Sequence, residues 1–179
     1  LGNFRKMYLC PYYPYMPMYS PGYWNHFPNQ YIPYKDQASA PIKLIDYGPH
    51  PFAINIEEAT KQNNNFRMTL WTGDYLQLTL MSINVREDIG LEMHPNLDQF
   101  IRIEEGLGLI QMGDSKDRLD RQAHVQDDYA IIIPAGKWHN LINIGNVPLK
   151  LYSIYAPPEH PFGTVHRTKE EAEEHHRRA

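Results

Sequence analysis

The sequence predicts an all-β domain, an antiparallel sandwich or barrel, and three observations carry that prediction. From Pro41 onward, short runs of apolar and β-branched residues recur at similar spacing, with Gly, Asn and Asp between them. Within those runs the period is two, as where Leu76, Leu78 and Leu80 alternate with Gln77, Thr79 and Met81. No long helical pattern separates the runs, which excludes a sheet assembled from strand–helix–strand units.

Taken in chain order, residues 1–40 form a region of their own. Tyr8, Tyr12, Tyr13, Tyr15, Tyr19, Tyr23, Tyr31 and Tyr34 are interleaved with Pro11, Pro14, Pro17, Pro21, Pro28 and Pro33. Proline fixes φ and removes a backbone donor, so this arm is expected to be extended and partly polyproline II. Tyrosine gains free energy by packing its ring, so residues 1–34 are expected to lie on a surface, such as that of a neighbouring copy; a disordered tail is the alternative. Residues 41–167 carry the β pattern. A short helix is expected at 56–62, then strands at 66–72, 76–81, 98–103, 107–112, 129–133, 141–144 and 149–155. The strand at 76–81 reads as half-buried. Residues 168–179 form a charged C-terminal helix and tail, helical over 168–176, with Thr168 as cap and Glu171 as its capping-box partner.

Composition narrows the function classes. The chain of 179 residues has room for one domain of ordinary size. Net charge is -4 and Lys and Arg are scattered, which removes the electrostatic drive for binding a phosphate backbone, so no nucleic-acid partner is expected. Cys10 is the one cysteine and forms no internal disulfide, although it has the chemistry to crosslink two chains. No apolar run approaches the roughly 20 residues needed to cross a bilayer, and no secretory signal pattern opens the sequence, so no membrane partner is expected and a cytoplasmic location is.

Two segments carry chemistry. The first is Pro134-Ala135-Gly136-Lys137-Trp138-His139-Asn140-Leu141-Ile142-Asn143, in which Pro and Gly make a tight turn that aims His139 inward from the start of the next strand. The second is Glu92-Met93-His94-Pro95-Asn96-Leu97-Asp98-Gln99, followed by Gly106. Residues two apart on a strand face the same way, so Glu92 and His94 point together. Pro95 and Asn96 break the strand, and the chain re-enters at Asp98 with Gln99 near the first pair.

Together these segments resemble the paired motifs of the cupin superfamily, G-x5-H-x-H-x(3,4)-E-x6-G and G-x5-P-x-G-x2-H-x3-N. The resemblance covers residues 41–179 and implies a double-stranded β-helix, or jelly-roll barrel, with the Tyr/Pro-rich arm before it and the short helix after it. It also implies one divalent metal ion, Zn, Mn, Fe, Ni or Co. Carried over by position, the ligands are Glu92, His94, Gln99 and His139. Arg86 and Asp128 stand where the motifs have their leading glycines. Two of the four ligands differ from the family pattern, yet the set keeps a single negative charge, since Glu92 replaces one imidazole while Gln99 replaces the glutamate. Several stretches further resemble single-domain cupins described as mannose-6-phosphate isomerase-like, and type I phosphomannose isomerases bind zinc through the same four ligand types.

The activity implied is that of a metal-dependent, isomerase-like enzyme on a small sugar or sugar phosphate, with no general base evident besides Glu92. The alternative is a structural protein: arms rich in Tyr, Pro and Met resemble coat proteins of endospore-forming bacteria, which would place the chain in a spore coat, with residues 1–34 joining subunits. Self-association, at least to a dimer, is expected on either reading. Arg102 is expected on the opposite side of its strand from Gln99, at the surface. Trp138 reads as a packing residue, and His124, His160 and His166 as surface or loop residues.

Overall fold

The computed structural model describes residues 41–178, and the expected arm lies outside them. Among these residues, nine strands form two antiparallel sheets. β1 (Arg67–Thr72), β2 (Gln77–Ile83), β3 (Asp98–Glu105), β4 (Leu107–Gly113), β6 (Ala130–Ile133), β7 (Trp138–Asn143) and β8 (Leu149–Ala156) correspond to the seven expected strands. β5 (Arg121–Gln126) and β9 (Val165–His166) are additional. β5 is exposed along its length except at Val125, so it carries no apolar alternation and exists by pairing with β4. The order is β6-β3-β8-β2-β1-β9 in the larger sheet and β5-β4-β7 in the smaller. Ile83, Ile101, Ile103, Ile110, Leu141, Leu149 and Leu151 of both sheets pack into one buried core.

The expectation of a half-buried β2 is corrected: both of its faces are covered. Leu80, with Met68 and Leu70 of β1, is buried beneath an outer layer formed by Ile42, Leu44, Phe52, Ile54, Ile56 and Ala59. The other face of β2 presents Gln77 and Thr79, each wholly buried, toward the barrel interior. Apolar and polar positions therefore exchange the sides that simple alternation assigns them. The outer layer includes α1 (Ile56–Gln62), which begins where Asn55 Oδ1 accepts the backbone N–H of Glu58 at 3.2 Å, satisfying a donor of the first turn.

Turn geometry keeps the motifs' backbone where the sequence departs from them. Arg86 and Asp128 have φ of 69° and 70°, the left-handed region that glycine adopts most readily. Gly106 closes the β3–β4 turn at φ 96°, and a Cβ there would stand 3.0 Å from the Leu149 Cα. Asn143 holds the end of β7, its Nδ2 donating to the carbonyls of Ile83 at 2.9 Å and Val147 at 2.8 Å.

The helix α2 (Lys169–Arg178) starts as expected: Thr168 Oγ1 accepts from the Glu171 N–H at 3.4 Å. Glu171 reaches back one residue further than a standard box, to the Arg167 N–H at 2.6 Å. Ala172 is buried in the main core, so this charged helix is docked on the barrel. Among the described residues no helix is long and apolar enough to cross a membrane.

Candidate metal centre

The segment carrying Glu92 and His94 is not a full strand. It runs beside β7 through isolated bridges, Asp88 with Ile142 and Glu92 with His139. Glu92 and His139 exchange both backbone hydrogen bonds, at 3.0 and 2.9 Å, and the Gly136 N–H donates to the His94 carbonyl at 2.8 Å. Asp98 Oδ1 accepts the Ala135 N–H at 2.9 Å, so the Pro134–Gly136 turn is tied to the His94 end of this segment and to the start of β3. This tying brings the two sequence motifs together.

Three of the four expected ligands converge. Glu92 Oε1 lies 3.4 Å from His139 Nε2 and 3.7 Å from His94 Nε2, and one ligand atom from each of the three residues falls within 4.8 Å of the others. His139 is wholly buried and His94 nearly so. The second nitrogen of each ring is committed elsewhere. His139 Nδ1 lies 3.1 Å from the Lys137 carbonyl, which only accepts, so Nδ1 carries the proton. His94 Nδ1 lies 3.3 Å from Glu159 Oε1, a carboxylate acceptor of the same kind. In the neutral rings both Nε2 atoms therefore present bare lone pairs toward Glu92, the usual arrangement for metal-binding imidazoles.

Gln99 occupies the same interior on β3, opposite Tyr155 of β8. Its Nε2 donates to Ser153 Oγ at 3.0 Å. Its Oε1 is buried and lacks a hydrogen-bond partner among the described residues, and the same holds for Glu92 Oε1, His94 Nε2 and His139 Nε2. Unsatisfied buried polar atoms are costly, and those of the described residues include one potential ligand atom from each of the four expected ligands. A carboxylate oxygen, two imidazole nitrogens and an amide oxygen are a donor set that fits a divalent ion, which would satisfy them.

The electrostatics agree with that fit. Burial opposes charge on Glu92, but His139, His94 and the Arg67 guanidinium together hold its carboxyl well below the usual carboxylate range. Burial also opposes charge on His94, yet Glu159 and Glu92 push it up to about 9 in the metal-free protein, where a proton sits in place of a cation. Burial pushes the Tyr155 hydroxyl up to about 12, so it stays protonated while its ring packs edge-on against His94 at 5.7 Å.

Several contributors escaped the sequence reading. Arg67, its side chain 2% exposed, places Nη2 3.7 Å from Glu92 Oε2, leaving Oε1 turned toward the histidines. Glu159 supplies a second carboxylate at the site. Gln77 positions it: Oε1 accepts the N–H groups of Glu159 and His160 at 3.3 and 2.9 Å, and Nε2 donates to the His160 carbonyl at 2.8 Å. His160 and His166, expected at the surface or in loops, are both buried, the former with its ring edge-on to Tyr155 at 5.2 Å. His124 is exposed as expected, and Arg102 lies outside the barrel against Glu104 at 3.0 Å. Trp138 is half-buried and lines a cavity of 630 Å³ that opens over the centre, with Leu91, Glu92, His94, Glu159 and Glu173 among the other walls.

Comparison with known proteins agrees with this architecture. Residues 79–155 match the Cupin domain family model. The uncharacterized protein YrkC of Bacillus subtilis (strain 168) is 56% identical, over 91% of this chain and 92% of its own length. The uncharacterized protein L612 of Acanthamoeba polyphaga mimivirus is 42% identical, over 64% of this chain and 70% of its own. Among solved structures, BH2720 from Bacillus halodurans is 66% identical, with a TM-score of 0.72 over 73% of this chain and 98% of that one.

Proposed function

This chain belongs to the cupin superfamily, and we propose that it binds one divalent metal ion through Glu92, His94, Gln99 and His139 and acts, isomerase-like, on a small sugar or sugar phosphate. The observation that carries the metal reading is the coincidence of four buried polar atoms, without a geometric hydrogen bond among the described residues, on the four residues expected as ligands. An ion held there supplies Lewis acidity toward a neighbouring carbonyl and hydroxyl pair. The chain's own residues supply the rest. Arg67 holds the second oxygen of Glu92, Glu159 and the Lys137 carbonyl fix the two rings, and the cavity admits a small molecule to the His94 side of the centre. Glu159 also faces that cavity, where its carboxylate can accept hydrogen bonds from ligand hydroxyls.

Elemental analysis of the full chain, purified without added metal, tests the reading. About one ion per chain is expected in the natural protein, and well under a tenth of that in His139→Ala or Glu92→Gln. A natural protein that carries no metal, and takes up none on addition of Zn, Mn, Fe, Ni or Co, rejects it. Joining of copies through residues 1–34 is a separate proposal. Deleting that segment is expected to leave metal content intact and to reduce the assembly size in light scattering; an unchanged size rejects it.

A further inference from the structure

We infer that the cavity over the centre takes an uncharged, polyhydroxylated ligand, a neutral sugar rather than a sugar phosphate. This rests on the metal reading above and narrows its ligand class.

Charge is the first argument. The cavity wall contains the carboxylates of Glu92, Glu159 and Glu173, and among the described residues no Lys or Arg lines it. Lys169 approaches Glu173 only to 4.0 Å, and its ammonium is engaged by Asp88. A divalent ion and Arg67 would bring three positive charges against the three carboxylates, so the described groups of the loaded site leave no surplus to offset a phosphate dianion. Arg67, moreover, is buried and paired to Glu92, whereas Glu159 and Glu173 are the carboxylates of the wall that solvent reaches most, with side chains 29% and 57% exposed. An anion would enter against them.

Shape and surface are the second argument. Trp138 contributes an aromatic side chain to the same wall, which also contains the exposed Leu91. The C–H face of a sugar ring packs on such a surface while its hydroxyls donate to carboxylates, so a ring of mixed character is satisfied on both sides. The volume of 630 Å³ lies within the usual small-ligand range of roughly 300–1,000 Å³. Glu92 and His94 both line the cavity, which marks where the ligand would approach the ion.

Titration calorimetry on the full chain, after its metal content has been measured, tests the inference with mannose, fructose, mannose 6-phosphate and glucosamine as probes. At least one neutral sugar is expected to bind in the millimolar range and about tenfold more tightly than mannose 6-phosphate. Trp138→Ala should weaken that binding about fivefold with metal content unchanged, and Trp138→Phe, which keeps a flat ring and the fold, should restore most of it. Glu173→Gln should narrow the discrimination against phosphate by about threefold. The inference is overturned if the metal-loaded protein binds mannose 6-phosphate at least as tightly as mannose, if glucosamine exceeds mannose by about tenfold, or if neither neutral sugar binds. A chain that lacks metal but still ranks the probes in the expected order overturns the metal reading and leaves the ligand class standing.

Discussion

The two ends of the barrel interior are built on the same strands yet hold opposite chemistry. On β2, Gln77 and Thr79 give way to Met81 and Ile83; on β3, Gln99 gives way to Ile101 and Ile103; on β8, Tyr155 and Ser153 face Leu151 and Leu149 of the other end. All of these side chains are about equally buried, so burial alone does not separate core from site. The apolar end is buried because water expels it. The polar end is buried at a cost, and its groups divide again: Gln77, Thr79 and Ser153 have partners, whereas one atom each of Glu92, His94, Gln99 and His139 has no hydrogen bond among the described residues. That second division coincides with the proposed metal centre.

The largest effect that can break this comparison comes from the apolar end. Leu151 is wholly buried, and Leu151→Ala is expected to lower stability by about 4 kcal/mol, the lost transfer energy plus a cavity. Urea unfolding measures it. Metal content of the folded fraction should not change, and a parallel loss of metal would show that the two ends are not separable.

The next effect is confined to the polar end. His94 has a folded-state value of about 9 against an ordinary 6.5. A raised value means that the charged ring stabilises the fold fully below about pH 6.5 and that this contribution is lost as pH rises through about 9. The loss amounts to about 3 kcal/mol in metal-free protein. A metal ion needs the neutral ring, so its affinity moves the other way, rising by up to about tenfold per pH unit across the same window. Thermal unfolding of metal-stripped protein should therefore fall in midpoint over that window, while the increment on adding zinc grows. His94→Asn should flatten both trends; an unchanged slope in the variant would assign the titration to another group.

The seven apolar strands were legible because alternation and turn residues are local signals. So were three of the site residues, since the turn at Pro134–Gly136 and the i, i+2 spacing of Glu92 and His94 each fix a direction. Arg67 was not legible, because in its strand the alternation sets Met68 and Leu70 against Arg67 and Thr69, and a one-sided sheet would bury the apolar pair and expose the arginine. The outer layer of residues 42–59 covers Met68 and Leu70 and leaves Arg67 inside. Glu159 and His160 lie in a stretch without periodicity, and only the distant Gln77 draws them inward. β5 has nothing but its pairing partner to define it.

The smallest effect sharpens the comparison most, because it uses two glutamines that flank Tyr155 in one row across the sheet. Gln77 has both ends of its amide engaged, donating to Thr72 Oγ1 at 2.9 Å as well as bonding to the backbone of residues 159 and 160. Among the described residues only the Nε2 of Gln99 is engaged. Gln77→Met strips partners from buried backbone groups and should cost about 2 kcal/mol in urea unfolding. Gln99→Met gives up one hydrogen bond but also removes an unsatisfied buried oxygen, so metal-free stability should change by less than about 1 kcal/mol. The same substitution should weaken metal binding by about tenfold or more, the loss expected when a donor is deleted. Equal destabilisation by the two variants, with metal affinity unchanged in Gln99→Met, would mean that both glutamines serve the fold and that the centre has three protein ligands.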